Sequence, residues 1–389
     1  MKVLITGAFG FVGSNLSAFL AEKGHELWAL DVCGGSSKVL KCGLSKVENT
    51  SSQDEKTLRS AYVRRFNWDQ LEQIPWNEVD AVIHLAGKAH DTKNASDPQS
   101  YFDVNVGLTH KIVSSLVHHC ESAFVAKPED GGPRTEDSRG STNERMSSRT
   151  KKLPTFILFS SVKAAADRVE GVLTEETAPE PKTAYGQSKL AAEEVVRSAL
   201  SRGRALSSRF SDTVEPARSA MEPLNQAAGR LNYYILRPCM IHGPGNKGNL
   251  NLLYGMVGNG VPWPLGAFEN RRSFASVGNV CAVVEGLLAG SAESGVYQVA
   301  DDEPLSTNEL VRLMAEAMGR RARVWAIPAG LIRAAARLGD VLHLPLNSER
   351  LKKLTESYVV SNAKIKGALG WAQMPAGARE GMRKTLESF

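Results

Sequence analysis

The run Met1-Lys-Val-Leu-Ile-Thr-Gly-Ala-Phe-Gly-Phe-Val-Gly13 decides how this chain is read. Val3, Leu4 and Ile5 make a short apolar stretch of the kind a buried strand requires, and it breaks directly into glycines. Gly7 permits a tight turn, Gly10 lets backbone approach a phosphate, and Gly13 lets the next helix, expected over Ser14 to Lys23, pack on the sheet. Phe11 and Val12 complete the loop, and the positive helix N-terminus faces the diphosphate of a dinucleotide. A second apolar strand, Glu26-Leu-Trp-Ala-Leu30, ends in Asp31, at the spacing of about 20 residues where an acid takes the adenosine ribose hydroxyls. That carboxylate would repel a 2′-phosphate, so the expected cofactor is NAD rather than NADP.

The whole chain sets the frame. Its 389 residues, 42% of them hydrophobic, can bury a large core and suit two domains. A net charge of +5 without a dense basic stripe argues against nucleic acid as a partner. Cys33, Cys42, Cys120, Cys239 and Cys281 are scattered and odd in number, without metal spacing, which fits free thiols in a reducing compartment. No apolar run reaches membrane-spanning length, so no membrane partner is expected, and the first strand leaves no room for a leader. The expected location is the cytoplasm.

Strands alternate with helical stretches. After the first two strands come Asp80-Ala-Val-Ile-His-Leu-Ala-Gly87, a helix from about Ser100 to Cys120, Thr155 to Phe159, a helix after Tyr185, and Tyr233 to Pro238. This is the pattern of an α/β fold with a doubly wound, Rossmann-type parallel sheet. Residues 34–58, 121–152 and 201–229 are rich in Ser, Gly and mixed charge and read as mobile insertions. The expected division is a dinucleotide-binding domain over 1–240 and a smaller α/β substrate domain over 241–389, some segments of which return to the large sheet. Amphipathic helices are expected at Leu305 to Met318 and Leu331 to Leu342.

Ser160-Ser161-Val-Lys163 follows a strand at the end where open α/β sheets bind ligands, and Tyr185-Gly-Gln-Ser-Lys189 opens a helix soon afterwards. Tyr185 and Lys189 share one helix face at this spacing. The ammonium is expected beneath the phenol, lowering its pKa from about 10. Tyr185 thereby becomes an acid/base, and a serine hydroxyl from the strand end orients the same substrate oxygen.

With these pieces in place, the chain resembles the extended short-chain dehydrogenase/reductases, in their nucleotide-sugar epimerase and dehydratase branch. The resemblance rests on Thr6 to Gly13, His84-Leu-Ala-Gly87, Ser160-Ser161, Tyr185 with Lys189, Leu236-Arg-Pro-Cys-Met-Ile-His-Gly-Pro-Gly245 and Asn270-Arg-Arg-Ser-Phe274. It implies that Gly7, Gly10, Gly13 and Asp31 bind the dinucleotide, that Ala86 and Gly87 lie along it, and that Lys189 also holds the nicotinamide ribose. It implies that Ser161 and Tyr185 face the reacting sugar hydroxyl or ketone. Asn249 and Arg272 match positions that hold the diphosphate of a UDP-sugar substrate, and Pro262-Trp-Pro-Leu-Gly266 would line the base. It also implies a homodimer through the helices near Ser100 to Cys120 and after Tyr185, where Val104, Val106, Leu108, Ile112, Val113, Leu116, Leu190, Ala191, Val195 and Val196 supply apolar surface.

Two departures shape the expected activity. Dehydratases of this branch carry an acidic pair directly after the catalytic hydroxyl residue, and here those positions are Val162 and Lys163. Dehydration therefore lacks its proton donor. His242 stands where relatives have Tyr, and it is expected to be structural. The resemblance implies epimerisation at C4 of a UDP-hexose or UDP-N-acetylhexosamine, with reduction of a UDP-4-keto-6-deoxy-sugar as the alternative; residue identities do not separate the two. A non-enzymatic dinucleotide sensor is a further alternative, against which stands the retained Tyr185 and Lys189 pair.

Overall fold

The computed structural model describes residues 1–31, 62–89, 97–125, 153–200, 231–246, 249–290, 292–342 and 347–389, without the side chains of residues 121–125 and 249. Apart from residues 121–125, the three expected insertions lie outside the described residues, as do Cys33 and Cys42.

In chain order the strands are β1 Lys2–Thr6, β2 Glu26–Asp31, β3 Tyr62–Asn67, β4 Ala81–His84, β5 Thr155–Phe159, β6 Val172–Leu173, β7 Tyr233–Pro238, β8 Met240–His242, β9 Phe274–Ser276, β10 Gly295–Val299 and β11 Val359–Val360. Seven of them build one sheet in the order β10-β7-β5-β4-β1-β2-β3, every neighbouring pair parallel. Strand order reverses between β1 and β4, and a doubly wound sheet opens its ligand crevice there, at the strands' carboxyl ends. The Gly7 and Ala86 loops leave the sheet at this point.

Alternation along each strand explains the layers, since successive side chains point to opposite faces. Val3, Ile5, Leu27, Ala29, Ile83, Ile157 and Leu236 pack with Leu16 and Leu20 of the helix Phe11–Glu22 and with Val280, Val284 and Leu287 of the helix Val277–Ala289. Their neighbours Leu4, Trp28, Leu30, Val82, Phe156, Leu158 and Ile235 pack with Ile112, Val113 and Leu116 of the helix Pro98–Val125 and Val196 of the helix Ala184–Leu200. Both faces are therefore covered, as a parallel sheet demands.

Differences from the sequence-based expectation are local. The first helix starts at Phe11 rather than Ser14, because Gly10 already stands at its N-cap. The helix expected to end at Cys120 runs on to Val125, so its last turn comes from the stretch read as insertion. Strand β3 was not foreseen; Val63, Arg64 and Arg65 are exposed along this sheet edge, so it lacks the apolar run that marked the others.

A third core gathers residues that follow β8 in the chain: Leu250, Val257, Trp263, Leu265, Phe274, Leu310, Met314, Ile332, Leu351 and Met382. The expected amphipathic helices occur as Thr307–Ala317 and Ala329–Leu342, the first entered through a Ser306/Glu309 capping box. His242 is fully buried, and its Nδ1 is 2.8 Å from the Thr385 hydroxyl on the helix Ala378–Leu386. It ties β8 to the last helix, a structural position.

Candidate active site

The glycine loop has the geometry its residues require. Gly7 adopts φ +67°, and a Cβ there would stand 2.8 Å from the Ala86 nitrogen. The loops after β1 and β4 thus touch backbone to backbone, which only glycine allows in that conformation. A Cβ on Gly13 would lie 2.4 Å from the Gly7 carbonyl oxygen, so this glycine seats the helix against the loop itself rather than against the sheet. Gly10 heads the helix with no side-chain cap, and no acid sits in the first turn. The leading N–H groups and the helix dipole are therefore free to meet an anion. Asp31 stands at the end of β2, where its Oδ2 accepts the Phe9 N–H at 3.3 Å and fixes the carboxylate beside the loop.

A buried polar chain stiffens the crevice floor. Thr6 Oγ1 accepts the Ala86 N–H at 3.1 Å and lies 2.7 Å from His84 Nδ1, whose ring Nε2 is 3.0 Å from Thr109 Oγ1. The Thr109 hydroxyl donates to the Asn105 carbonyl, so it accepts from His84, which fixes the neutral tautomer with its proton on Nε2. Burial first, with Lys189 adding repulsion, pulls His84 down to about 3. Asn105 accepts the Lys88 N–H at 2.7 Å and donates to Ser188 Oγ at 2.9 Å, joining the post-β4 loop to the Tyr185 helix.

Ser161, Tyr185 and Lys189 come together at the end of β5. The Ser161 hydroxyl is hydrogen-bonded to the Tyr185 phenol, and the Tyr101 ring stands edge-on to it at 6.1 Å. Lys189 is buried and donates from Nζ to the Phe159 carbonyl at 3.1 Å; a Cβ on Gly87 would lie 3.1 Å from that same Nζ. Burial pulls Lys189 down to about 8, with Glu193 opposing. The expectation that the ammonium lowers the phenol is not met in this arrangement. Burial pushes Tyr185 above its ordinary value, Ser161 opposes this and Tyr101 adds to it, while the ammonium is turned to a carbonyl.

Glu193, one turn beyond Lys189, is fully buried and was missed in the sequence. It accepts from Arg237 Nε at 2.8 Å and Nη2 at 2.6 Å, and from Ser160 Oγ at 2.6 Å. Its signal was its spacing from Lys189, which puts it on the inward face. Asp167 was also missed: it accepts the Lys182 and Thr183 N–H groups at 2.6 and 3.1 Å and so fixes the approach to Tyr185.

The residues matched to the substrate are less uniform. Arg272 donates through Nε to the Glu356 carbonyl at 3.1 Å and through Nη2 to the Lys353 carbonyl. Burial above all, with Arg272 adding repulsion, pulls the Lys163 amine below its ordinary value; its Nζ donates to the Asp167 carbonyl at 2.8 Å and lies over the Tyr358 ring. In the segment Pro262 to Gly266, Trp263 and Leu265 are buried in the core and Asn308 holds the Trp263 indole at 3.0 Å. Only its prolines and backbone remain for a base. Asn249 begins the helix Asn249–Gly258, and the role expected of its side chain lies outside what is described.

A doubly wound sheet with an uncapped glycine-loop helix and a Ser/Tyr/Lys cluster across the crevice defines a dinucleotide-dependent enzyme of the extended short-chain dehydrogenase/reductase class. The chain belongs to the NAD dependent epimerase/dehydratase family, whose model matches residues 3–300, and its cofactor is NAD. It is 26% identical over 397 residues to a UDP-glucose 4-epimerase of Vibrio cholerae, covering 100% of this chain and 95% of the relative. It is 24% identical over 299 residues to an N-acetyl-alpha-D-glucosaminyl-diphospho-ditrans,octacis-undecaprenol 4-epimerase of Escherichia coli O157:H7, covering 76% of this chain and 70% of that protein. The UDP-glucose 4-epimerase of Thermus thermophilus, solved in complex with NAD, superimposes with a TM-score of 0.60 at 21% identity, covering 100% of this chain and 98% of the other.

Proposed function

We propose that the protein epimerises C4 of a UDP-hexose or UDP-N-acetylhexosamine through a transient 4-keto sugar, bound in the cleft between the 1–240 and 241–389 units. The observation that carries this reading is that the Tyr185 phenol is hydrogen-bonded to Ser161 while Lys189, one turn along the same helix, sets its ammonium beside Gly87. The residues that would hold NAD fit it: the uncapped helix after Gly10 for the diphosphate, Asp31 for the adenosine ribose, Ala86 and Gly87 along the dinucleotide and Lys189 for the second ribose. When bound, the dinucleotide supplies the hydride acceptor for the first half of the reaction and the donor for the second.

The chain's own residues handle the proton and the geometry. Tyr185 takes the C4 hydroxyl proton as the ketone forms and returns it once the sugar presents its other face. Ser161 hydrogen-bonds the same oxygen and holds it beside the phenol. A phenol kept neutral by burial is set to give a proton; to take one it needs a cation at its oxygen, which Lys189, on the same helix face, would supply on turning from the Phe159 carbonyl. Arg272 and Asn249 would take the diphosphate, Arg272 exchanging carbonyl partners for phosphate oxygens.

The assay is incubation of the purified protein with UDP-glucose and with UDP-N-acetylglucosamine, without added cofactor, and detection of the C4 epimers. Tyr185→Phe should reduce turnover about 100- to 10,000-fold while NAD binding persists. Lys189→Ala should impair both. Consumption of NADH by a 4-keto sugar nucleotide with no epimer formed would instead select the ketoreductase, and NAD binding without turnover of any sugar nucleotide would select the sensor.

A homodimer and a cytoplasmic location belong to the same proposal. Of the residues expected at the dimer surface, Ile112, Val113, Leu116 and Val196 are buried against the chain's own sheet, while Val104, Val106, Leu108, Leu190, Ala191 and Val195 remain half-buried on the helices Pro98–Val125 and Ala184–Leu200. Light scattering giving the mass of one chain would sink the dimer. Cys120, Cys239 and Cys281 are buried and form no disulfide among the described residues, which suits a reducing compartment. Among the described residues no helix is long and apolar enough to cross a membrane.

A further inference from the structure

The helix Ala329–Leu342 carries apolar residues on its exposed surface as well as on its buried face. Ile332, Ala336 and Gly339 are buried against the second unit's core. The face turned away from them carries Leu331, Leu338, Val341 and Leu342, which are 64%, 56%, 73% and 57% exposed. Ala334 and Ala335 complete that face and are exposed too. Arg333 and Arg337 run along one flank of it at helical spacing, both exposed, and the helix's acid, Asp340, is tied to Ser348 by bonds to its N–H and hydroxyl. The neighbouring helix Ser348–Thr355 packs alongside and adds exposed Leu354 and Lys352. Trp325, 56% exposed, lies just ahead in the chain, beyond the cations Arg320, Arg321 and Arg323.

We propose that this face is an interfacial docking surface for an anionic lipid bilayer. A helix lying in the membrane plane needs an apolar face with cations at its border, and the helix Ala329–Leu342 supplies both through Leu331, Leu338, Val341 and Leu342 and through Arg333 and Arg337. A second copy of the chain is the weaker occupant on area. A helix of 14 residues is about 21 Å long and about 10 Å wide, giving on the order of 200 Å², against the roughly 800 Å² per partner of a stable interface. The basic flank matches a surface of phosphate headgroups, whereas the single acid of the helix, Asp340, is engaged by Ser348. The surface belongs to the unit expected to hold the sugar nucleotide, since Arg333 lies over the Phe268 ring at 5.7 Å, on the segment that leads to Arg272. The inference concerns attachment, and it stands independently of the reaction proposed above.

The test is flotation of the full chain with phosphatidylcholine vesicles, with and without phosphatidylglycerol. The wild type should float with the phosphatidylglycerol vesicles and be partly released by salt. Leu338→Glu with Val341→Glu should lower the bound fraction at least tenfold, and Arg333→Ala with Arg337→Ala should lower it on phosphatidylglycerol alone. Both double variants should keep the wild type's turnover of a water-soluble UDP-sugar, its circular dichroism spectrum and its mass in light scattering. Failure of the wild type to float, or equal binding by the Leu338→Glu/Val341→Glu variant, would overturn the proposal. A fall in mass in that variant would assign the face to a second copy and overturn it as well.

Discussion

The Glu193 carboxylate grips the Arg237 guanidinium through two parallel hydrogen bonds of 2.8 and 2.6 Å, the acid fully buried and the arginine 2% exposed. The pair joins the helix that carries Tyr185 and Lys189 to strand β7, and through Ser160 it reaches the end of β5. A buried charge that loses its partner is costly, so Glu193→Leu or Arg237→Met alone should each destabilise the protein by about 3 to 5 kcal/mol in urea unfolding. The double variant should recover most of that loss. Additive losses in the double variant would show that the two charges act separately.

Gly87→Ala tests the cofactor track. An added Cβ would stand 2.8 Å from Asn105 Oδ1 and 3.1 Å from Lys189 Nζ, so both must shift. NAD affinity should fall at least tenfold, about 1.4 kcal/mol, while Gly367→Ala, where the added Cβ meets nothing within 4 Å, should leave affinity unchanged. Isothermal titration with NAD checks this, and unchanged affinity in Gly87→Ala would remove this loop from the site.

Cofactor choice should follow Asp31. The wild type should bind NAD more tightly than NADP, and Asp31→Ser should narrow the difference by removing the charge that Phe9 now fixes. Fluorescence titration with both cofactors gives the ratio; tighter NADP binding by the wild type would contradict the assignment. Lys38 and Lys41, the cations that the sequence places near this acid, lie outside the described residues.

His84 should make the fold acid-sensitive. Its folded pKa of about 3 lies below the ordinary 6.5, so between these values the unfolded chain holds the extra proton. The stability from the neutral ring is complete above about pH 6.5 and is lost as pH falls toward 3, with a slope of up to about 1.4 kcal/mol per pH unit. Urea unfolding at several pH values should show that slope flattened in His84→Gln. An identical pH dependence in the two proteins would mean that the ring is protonated in the folded state.

Much of this molecule was legible because its signals are local. The turn at Gly7 needs φ +67°, and a glycine after three apolar residues announces it. The strands at Thr155–Phe159 and Tyr233–Pro238 begin and end where their apolar runs do. Tyr185 and Lys189 share a face because four residues make about one helical turn. Strand β3 stayed hidden since an edge strand can be charged and still pair, and its partner β2 was what made it a strand.

Sequence by itself determined the doubly wound architecture, the glycine loop and the shared helix face of Tyr185 and Lys189, because each depends on backbone sterics or on the period of a single element. Tertiary structure decided what those groups do to one another. It turned Lys189 toward the Phe159 carbonyl, raised Tyr185 by burial, set Glu193 against Arg237 and spent Arg272 on two carbonyls. Desolvation and hydrogen-bond partnership arise from residues far apart in the chain, and no spacing along it encodes them.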